Sequence, residues 1–367
     1  MLKRVSIQNF KSLKDVTLDL QKVNLLIGPN NSGKTNFLKA LEFFDFSVLQ
    51  DYVAAERQAS NVRFMRSASS MCLELTFQRE DEELVFLRRF NFENTVDVKS
   101  SQRNLKKGLE VTKNDEGYPD VLFLRRQLNS LRIYRPDPNK LTQPGPVGAG
   151  IETVNADASN LVGFLDQMLG KYRRTVFSRI EDDLHTCISE FDEIKLEDAK
   201  PTDELRKLVG DKSFKRFGLS NSSQGATYWA DELSEGTLYF LALLCIIHQP
   251  NPPKLLLLEE PEKGIHPRRI REVMDFIFQL AEQKDIQVIL TTHNENVLNE
   301  FTSMPEAVFV FEKDEEGVTR VKNLLKDIIE PSHQLSRETG TKEIDFASNL
   351  GENWMYGLLG GVPQENI

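Results

Sequence analysis

Cysteine is scarce in this chain: Cys72, Cys187 and Cys245 are the whole complement of 367 residues. They stand far apart in apolar-periodic segments, with no C-x-x-C pair. That spacing excludes a zinc ribbon and a disulfide framework, and predicts buried thiols in a reducing compartment. Long apolar runs are missing as well, since none approaches the ~18 residues of a membrane span. The opening MLKRVSIQNF carries charge where a secretory leader needs an apolar region. Both absences predict a cytoplasmic protein with no membrane partner. Basic excess is also lacking. A net charge of −10 argues against binding nucleic acid over the whole surface. Doublets at Arg88/Arg89, Lys106/Lys107, Arg125/Arg126 and Arg173/Arg174 read first as solvated faces, and leave a local nucleic-acid contact open. Internal repeats and low-complexity tracts are absent. With 40% hydrophobic residues, the length suits one large or two ordinary domains.

What is present is sharper. Gly28 to Thr35 reads GPNNSGKT, the pattern G-x-x-x-x-G-K-[ST] without a gap. An apolar run, Val23 to Ile27, broken only by Asn24, precedes it. A helical pattern through Phe37, Leu38, Ala40, Leu41 and Phe44 follows. Strand, glycine loop and helix start in that order form a phosphate cradle: the glycines let backbone N–H groups turn inward, and the helix N-terminus adds partial positive charge. Lys34 is placed to reach β- and γ-phosphates and Thr35 to ligate Mg²⁺.

Around this motif the chain changes character twice. Leu2–Phe10 and Val16–Leu20 alternate as half-buried strands, with a turn at 11–15. Met71–Phe77 and Leu84–Phe90 form a predicted hairpin around the charged turn Arg79–Glu83. From about Asn91 the signals become a polar stretch (Lys99–Lys107), a breaker-rich loop (Pro136–Gly150) and two helical patterns. One holds Leu161, Phe164, Leu165, Met168 and Leu169. The other holds Phe177, Ile180, Leu184, Cys187, Ile188 and Phe191. After Asp231, strand and helix alternate again: helix at Leu238–Ile247, buried strand at Lys254–Leu258, amphipathic helix at Arg268–Ala281, strands at Gln287–Thr291 and Ala307–Phe311. The expected organisation is a core half over 1–95, an inserted lobe of strands then helices over 96–230, the second core half over 231–330 and a tail over 331–367.

Three short motifs in the last third carry chemistry. LLLLEEPE, Leu255–Glu262, is an apolar strand ending in carboxylates. Glu259 is positioned to hold Mg²⁺ and Glu260 to polarise an attacking water. LSEGT, Leu233–Thr237, opens a helix on the N-cap Ser234, where a hydroxyl and the amides near Gly236 can meet an anion. TTHN places His293 just past a buried strand, able to donate to a γ-phosphate oxygen. His185, His248, His266 and His333 show no metal spacing.

In this order the pieces resemble the ABC-type ATPase heads of the SMC, RecF and OLD-like group. VSIQNFKSLKDV is similar to the opening strand pair of that group, and EEPEKGIHP to its extended strand-end motif. The resemblance covers roughly Met1–Leu49 and Asp231–Phe311. It implies an α/β P-loop NTPase with a mixed sheet and an inserted α-rich lobe. It also implies roles: Gly28, Asn31, Gly33, Lys34 and Thr35 for the nucleotide, with Thr35 and Glu259 on Mg²⁺. Glu260 matches the catalytic glutamate, His293 the switch histidine, and Ser234 with Gly236 the signature that meets the γ-phosphate of an opposite subunit. Glu235 in the signature and Glu at 259 point away from transporters. Gln58 is the nearest candidate for a Mg²⁺-sensing glutamine, and Phe10 or Lys11 for a base-stacking residue.

The implied function is an ATPase that dimerises head-to-tail around ATP, as a homodimer or higher even oligomer. Its motion would drive an anti-phage defence or toxin-regulating complex. Little sequence follows Phe311, so nuclease or toxin activity is expected in a separate effector. A RecF-like repair ATPase, or a nucleotide-responsive scaffold with negligible turnover, is the alternative. The tail's Trp354, Met355, Tyr356, Leu358 and Leu359 read either as packing on the core or as a docking segment.

Overall fold

The computed structural model describes residues 1–49, 52–64, 69–92, 109–110, 119–129, 131–200, 207, 210, 213–222, 225–263, 265–341, 346 and 349–362. The expected polar stretch Lys99–Lys107 lies outside them. The chain forms two compact units. One comprises Met1–Ile133, Lys254–Glu260 and Ile277–Ile367, the other Tyr134–Pro253 and Pro261–Phe276.

The first unit opens with strands β1 (Leu2–Phe10), β2 (Leu13–Asp19) and β3 (Val23–Ile27). β2 starts earlier than its alternation suggests: Lys11 has a φ of 49°, so the reversal needs only Lys11 and Ser12, and Leu13 is already buried. Helices α1 (Lys34–Leu49) and α2 (Tyr52–Val62) follow, then strands β4 (Met71–Arg79), β5 (Glu82–Phe90) and β6 (Leu109–Glu110), then helix α3 (Pro119–Leu128). The hairpin of β4 and β5 turns on Glu80 and Asp81, pairing Met71 with Phe90 through to Arg79 with Glu82. Arg88 corrects the reading of the basic doublets as solvated. It is 2% exposed, and its guanidinium donates to the Ser47 carbonyl at 2.7 Å. There it satisfies one of the carbonyls that the last turn of α1 leaves without a helical partner.

The chain crosses to the second unit within β7 (Ile133–Tyr134). There it forms α4 (Pro138–Leu141), β8 (Gly145–Pro146), α5 (Leu161–Lys171), α6 (Ser178–Cys187), β9 (Glu193–Asp198), β10 (Phe214–Asn221), β11 (Ala226–Trp229) and α7 (Glu235–His248). The breaker-rich loop thus holds a short helix and strand. Strands and helices interleave in this unit: β8 precedes α5 and α6, β9 to β11 follow them, and α7 comes after the strands. β10 pairs antiparallel with both β9 and β11. α7 buries every residue from Leu238 to Ile247, and Phe240 meets Phe276 edge-on at 5.0 Å. Cys187 is exposed. It stands in the last turn of α6, on a face that the i, i+3, i+4 pattern assigned to the interior.

On its return the chain adds β12 (Leu255–Glu259), α8 (Ile270–Gln283, cut by the unit boundary after Phe276), β13 (Gln287–Thr291), α9 (Glu295–Asn299), β14 (Val308–Lys313), β15 (Thr319–Asn323), α10 (Glu330–Thr339) and α11 (Leu350–Met355). Two sheets build the first unit among the described residues. One has the order β2-β1-β4-β5-β6, the other β15-β14-β3-β13-β12-β7. In the second sheet β14, β3, β13 and β12 are mutually parallel, and β15 is antiparallel at the edge. Buried strands at its centre explain the uninterrupted apolar runs. The one polar break, Asn24, is fully buried and satisfied: its amide donates to the Gln21 and Val288 carbonyls, and its oxygen accepts from Gln21 N. Phe37, Leu38, Leu41 and Phe44 on α1 join the core between the sheets.

Candidate functional site

Parallel pairing decides where the chemistry gathers. β3, β13 and β12 lie side by side and point the same way, with Leu26 opposite Thr291 and Thr291 opposite Glu259. The loops after all three strands therefore leave the same sheet edge, where open α/β sheets bind ligands. A pocket there is lined by residues 30–36 together with Glu259, Glu260, Thr291 and His293.

The glycine loop is held from two sides. Gly28 has a φ of +141°, and a Cβ there would stand 2.1 Å from the Phe311 carbonyl oxygen. Gly33, at φ +113°, would put a Cβ 2.3 Å from Thr319 Oγ1. Neither position admits a side chain. Lys34 is buried, and its ammonium donates to the carbonyls of Gly28 at 2.6 Å and Pro29 at 2.9 Å. Asn31 takes a left-handed φ of 66° at the rim of the loop.

Two acidic groups face this loop. Thr35 Oγ1 donates to Glu259 Oε1 at 2.6 Å. Glu260 leaves the strand at a φ of 48°, its N–H held by the Thr291 carbonyl at 3.0 Å. That left-handed turn is costly for a non-glycine residue and redirects the chain just past Glu259. Glu260 Oε1 lies 3.4 Å from His293 Nε2. Burial and the neighbouring Lys34 charge hold the His293 pKa below its ordinary value, while Glu260 and a hydrogen bond to the Gly28 carbonyl oppose them. That direction favours the neutral imidazole, which carries a single N–H.

A polar network braces the far side of the loop, and only parts of it were legible. Thr319 Oγ1 donates to the Ser32 carbonyl and pairs with Ser12 Oγ, each at 2.8 Å, while Asn36 Nδ2 reaches Ser12 Oγ at 2.9 Å. Ser12 lies within the opening motif FKSLKDV, a usable signal. Thr319 carries none, because β15 is a short edge strand far along the chain.

Ser234 and Gly236 belong to the second unit. Ser234 is the N-cap of α7, accepting from Thr237 N at 3.2 Å and from Arg269 Nη1 at 3.3 Å. An added Cβ at Gly236 would meet only Arg269 Cδ and Ser234 Oγ, at 3.8 and 3.9 Å, so packing does not demand glycine there. Two weaker candidates do not fit. Phe10 is 1% exposed and packs on Phe43 at 5.7 Å, so it has no face to offer a base. Gln58 sits on the exposed side of α2. Lys11 remains half-buried in the turn after β1.

The family model described as "AAA domain, putative AbiEii toxin, Type IV TA system" matches residues 23–299. An OLD nuclease of Thermus scotoductus is 22% identical over 320 residues, covering 80% of this chain and 59% of its own. The Old nuclease of Escherichia phage P2 is 20% identical over 336 residues, covering 81% and 57%. This chain thus spans somewhat under three-fifths of the length of those relatives. Among solved structures, an Smc head bound to the C-winged helix domain of ScpA is 15% identical. It covers 88% of this chain and 96% of its own, with a TM-score of 0.53. That likeness shows the fold, an α/β architecture of the Smc-head type. No described helix is long and apolar enough to cross a membrane.

Proposed function

This chain belongs to the AAA-domain family, and from that premise we propose that it binds and hydrolyses MgATP as a nucleotide-gated dimer. The observation that carries the reading is the single pocket in which the glycine loop, the Thr35–Glu259 pair and the Glu260–His293 pair converge. The donor set suits a hard divalent cation: a hydroxyl and a carboxylate oxygen already 2.6 Å apart, beside space for phosphate oxygens. Thr35 and Glu259 would hold Mg²⁺, whose bound charge offsets the negative charge of the phosphates.

This chain's own groups do the rest. The loop amides and Lys34 bind the β- and γ-phosphates. Glu260 orients the attacking water and accepts its proton. Neutral His293 carries a single N–H, which it donates to the γ-phosphoryl oxygen. Ser234 and the unobstructed backbone at Gly236 serve the nucleotide of a second copy, so each ATP is shared by two chains. Loss of the γ-phosphate removes that shared contact and shifts the pair toward separation. The motion acts on a separate effector, of nuclease or toxin type, in a defence or toxin-regulating complex.

The test is phosphate release and size-exclusion chromatography, with and without MgATP, on the parent and on Lys34→Ala. ATP-dependent dimerisation with turnover in the parent, and neither in the variant, is expected. A parent that binds no ATP ends the reading; one that dimerises on ATP without releasing phosphate reduces it to a nucleotide-held scaffold.

A further inference from the structure

The C-terminal segment touches both halves of the pocket machinery. α11 lies against α9, the short helix that follows His293. Gly351 N donates to Asn299 Oδ1 at 2.8 Å, and a Cβ at Gly351 would stand 2.8 Å from the Glu295 carbonyl oxygen. Ten residues later the chain reaches the phosphate loop itself. Gly361 is buried at φ +65°, and its Cβ position is 2.6 Å from Val310 Cγ1, 3.4 Å from the Phe311 carbonyl oxygen and 3.5 Å from Gly28 Cα. The two contact points are tied to each other, because Trp354 Nε1 donates to the Gly361 carbonyl at 3.2 Å. Trp354 and Leu359 are buried beneath this segment, while Met355, Tyr356 and Leu358 are exposed.

Gly28 is the meeting point. Its carbonyl accepts from Lys34 and from the His293 ring, its Cβ position lies 2.1 Å from the Phe311 carbonyl oxygen, and its Cα lies 3.5 Å from the Cβ position of Gly361. A shift of the loop on taking a triphosphate therefore presses on the tail from one end. A shift of His293 presses on it through α9 from the other. We propose that residues 349–362 are a positioning strap for the nucleotide site, with Gly361 setting the place of Gly28 and Gly351 setting the place of the His293 helix. A side chain is disfavoured at both glycines: at Gly351 by the Glu295 carbonyl oxygen, and at Gly361 by its left-handed φ and by Val310 Cγ1 at 2.6 Å. The inference rests on the pocket being an ATP site.

The experiment uses the full chain carrying Trp229→Phe, which leaves Trp354 as the one tryptophan. MgATP is titrated while binding is measured by calorimetry and Trp354 emission is recorded in parallel. An emission change with the calorimetric midpoint is expected. In the Trp229-containing chain, Gly361→Ala should weaken ATP binding about tenfold, as displacement of a positioning contact does, with far-UV circular dichroism unchanged. Trp354→Phe, which removes the bond to Gly361 together with part of the buried ring, is the milder second variant, should Gly361→Ala not fold, and should weaken binding in the same direction. Normal ATP binding with silent Trp354 emission, and parent-like affinity in the variants, overturns the strap and leaves the ATP reading intact. Absence of calorimetric binding in the parent overturns both.

Discussion

Glu260 Oε1 and His293 Nε2 face each other across 3.4 Å, one at the end of β12 and the other just past β13. The pair sets a carboxylate that can take a proton beside an imidazole that can donate a hydrogen bond. Glu260→Gln keeps the shape but not the basicity. It is expected to bind ATP, to lose hydrolysis by about 10²–10⁴-fold, and to elute as a stable dimer with ATP. His293→Ala should lose turnover while retaining nucleotide affinity. A Glu260→Gln protein that hydrolyses at the parental rate removes Glu260 from the mechanism.

Ser234 offers a test of the proposed dimer that leaves the pocket residues untouched. It caps α7 and has no place in the pocket lining. Ser234→Ala costs about 1 kcal/mol of helix-capping stability, which leaves the chain folded. Nucleotide affinity of the isolated chain should stay near the parental value, while ATP-dependent dimerisation and turnover fall together. Equal loss of monomer affinity would place Ser234 in its own chain's site. Sedimentation velocity with a non-hydrolysable ATP analogue distinguishes the two.

How much of this was readable beforehand depends on how local each signal is. GPNNSGKT, the apolar run before Glu259 and the N-cap at Ser234 are contiguous words whose geometry follows from a few residues. Parallel strand order is not local. That Glu259 would meet Thr35, 224 residues away, came from the resemblance and not from periodicity. Thr319 and β15 gave no warning, because an edge strand with a polar outer face looks like loop. Helix α2 carries a weak signal because YVAAERQASNV has a narrow apolar face. Phe10 follows as a base-stacking candidate from motif position alone; the left-handed Asn9, at a φ of 59°, breaks the alternation of Val5 and Ile7, and Phe10 is buried out of step with them.

Thr319 yields a test of the brace behind the loop. Thr319→Val keeps volume and β-branching but deletes the hydroxyl that serves Ser32 O and Ser12. One lost buried bond of this kind costs about 1–3 kcal/mol through the carbonyl left without its donor. The expected result is a lower melting midpoint together with weaker ATP binding, because the freed Ser32 carbonyl belongs to the phosphate loop. A melting shift with parental affinity would make the brace purely structural.

Asp45 makes the stability of this protein depend on pH in an unusual direction. It stands on α1, 8% exposed, and burial raises its pKa to about 6, against a hydrogen bond from the Leu131 backbone that lowers it and with Glu42 adding to the rise. Glu42 is pushed up mainly by burial too, while accepting from Ile133 N at 2.7 Å. The folded state thus holds the Asp45 proton more tightly than the unfolded chain, whose pKa is near 3.8. Between those values the folded form binds more protons, so stability falls as pH rises from about 4 to about 6 and stays reduced above that. A shift of this size corresponds to at most about 3 kcal/mol. Asp45→Asn removes the buried charge and keeps an oxygen for Leu131 N. Its melting midpoint should exceed the parent's at pH 8, approach it near pH 4, and show a flatter slope between. Thermal melts of both proteins across pH 4–8 check this, and parallel curves at every pH would mean that Asp45 stays ionised in the folded chain without cost.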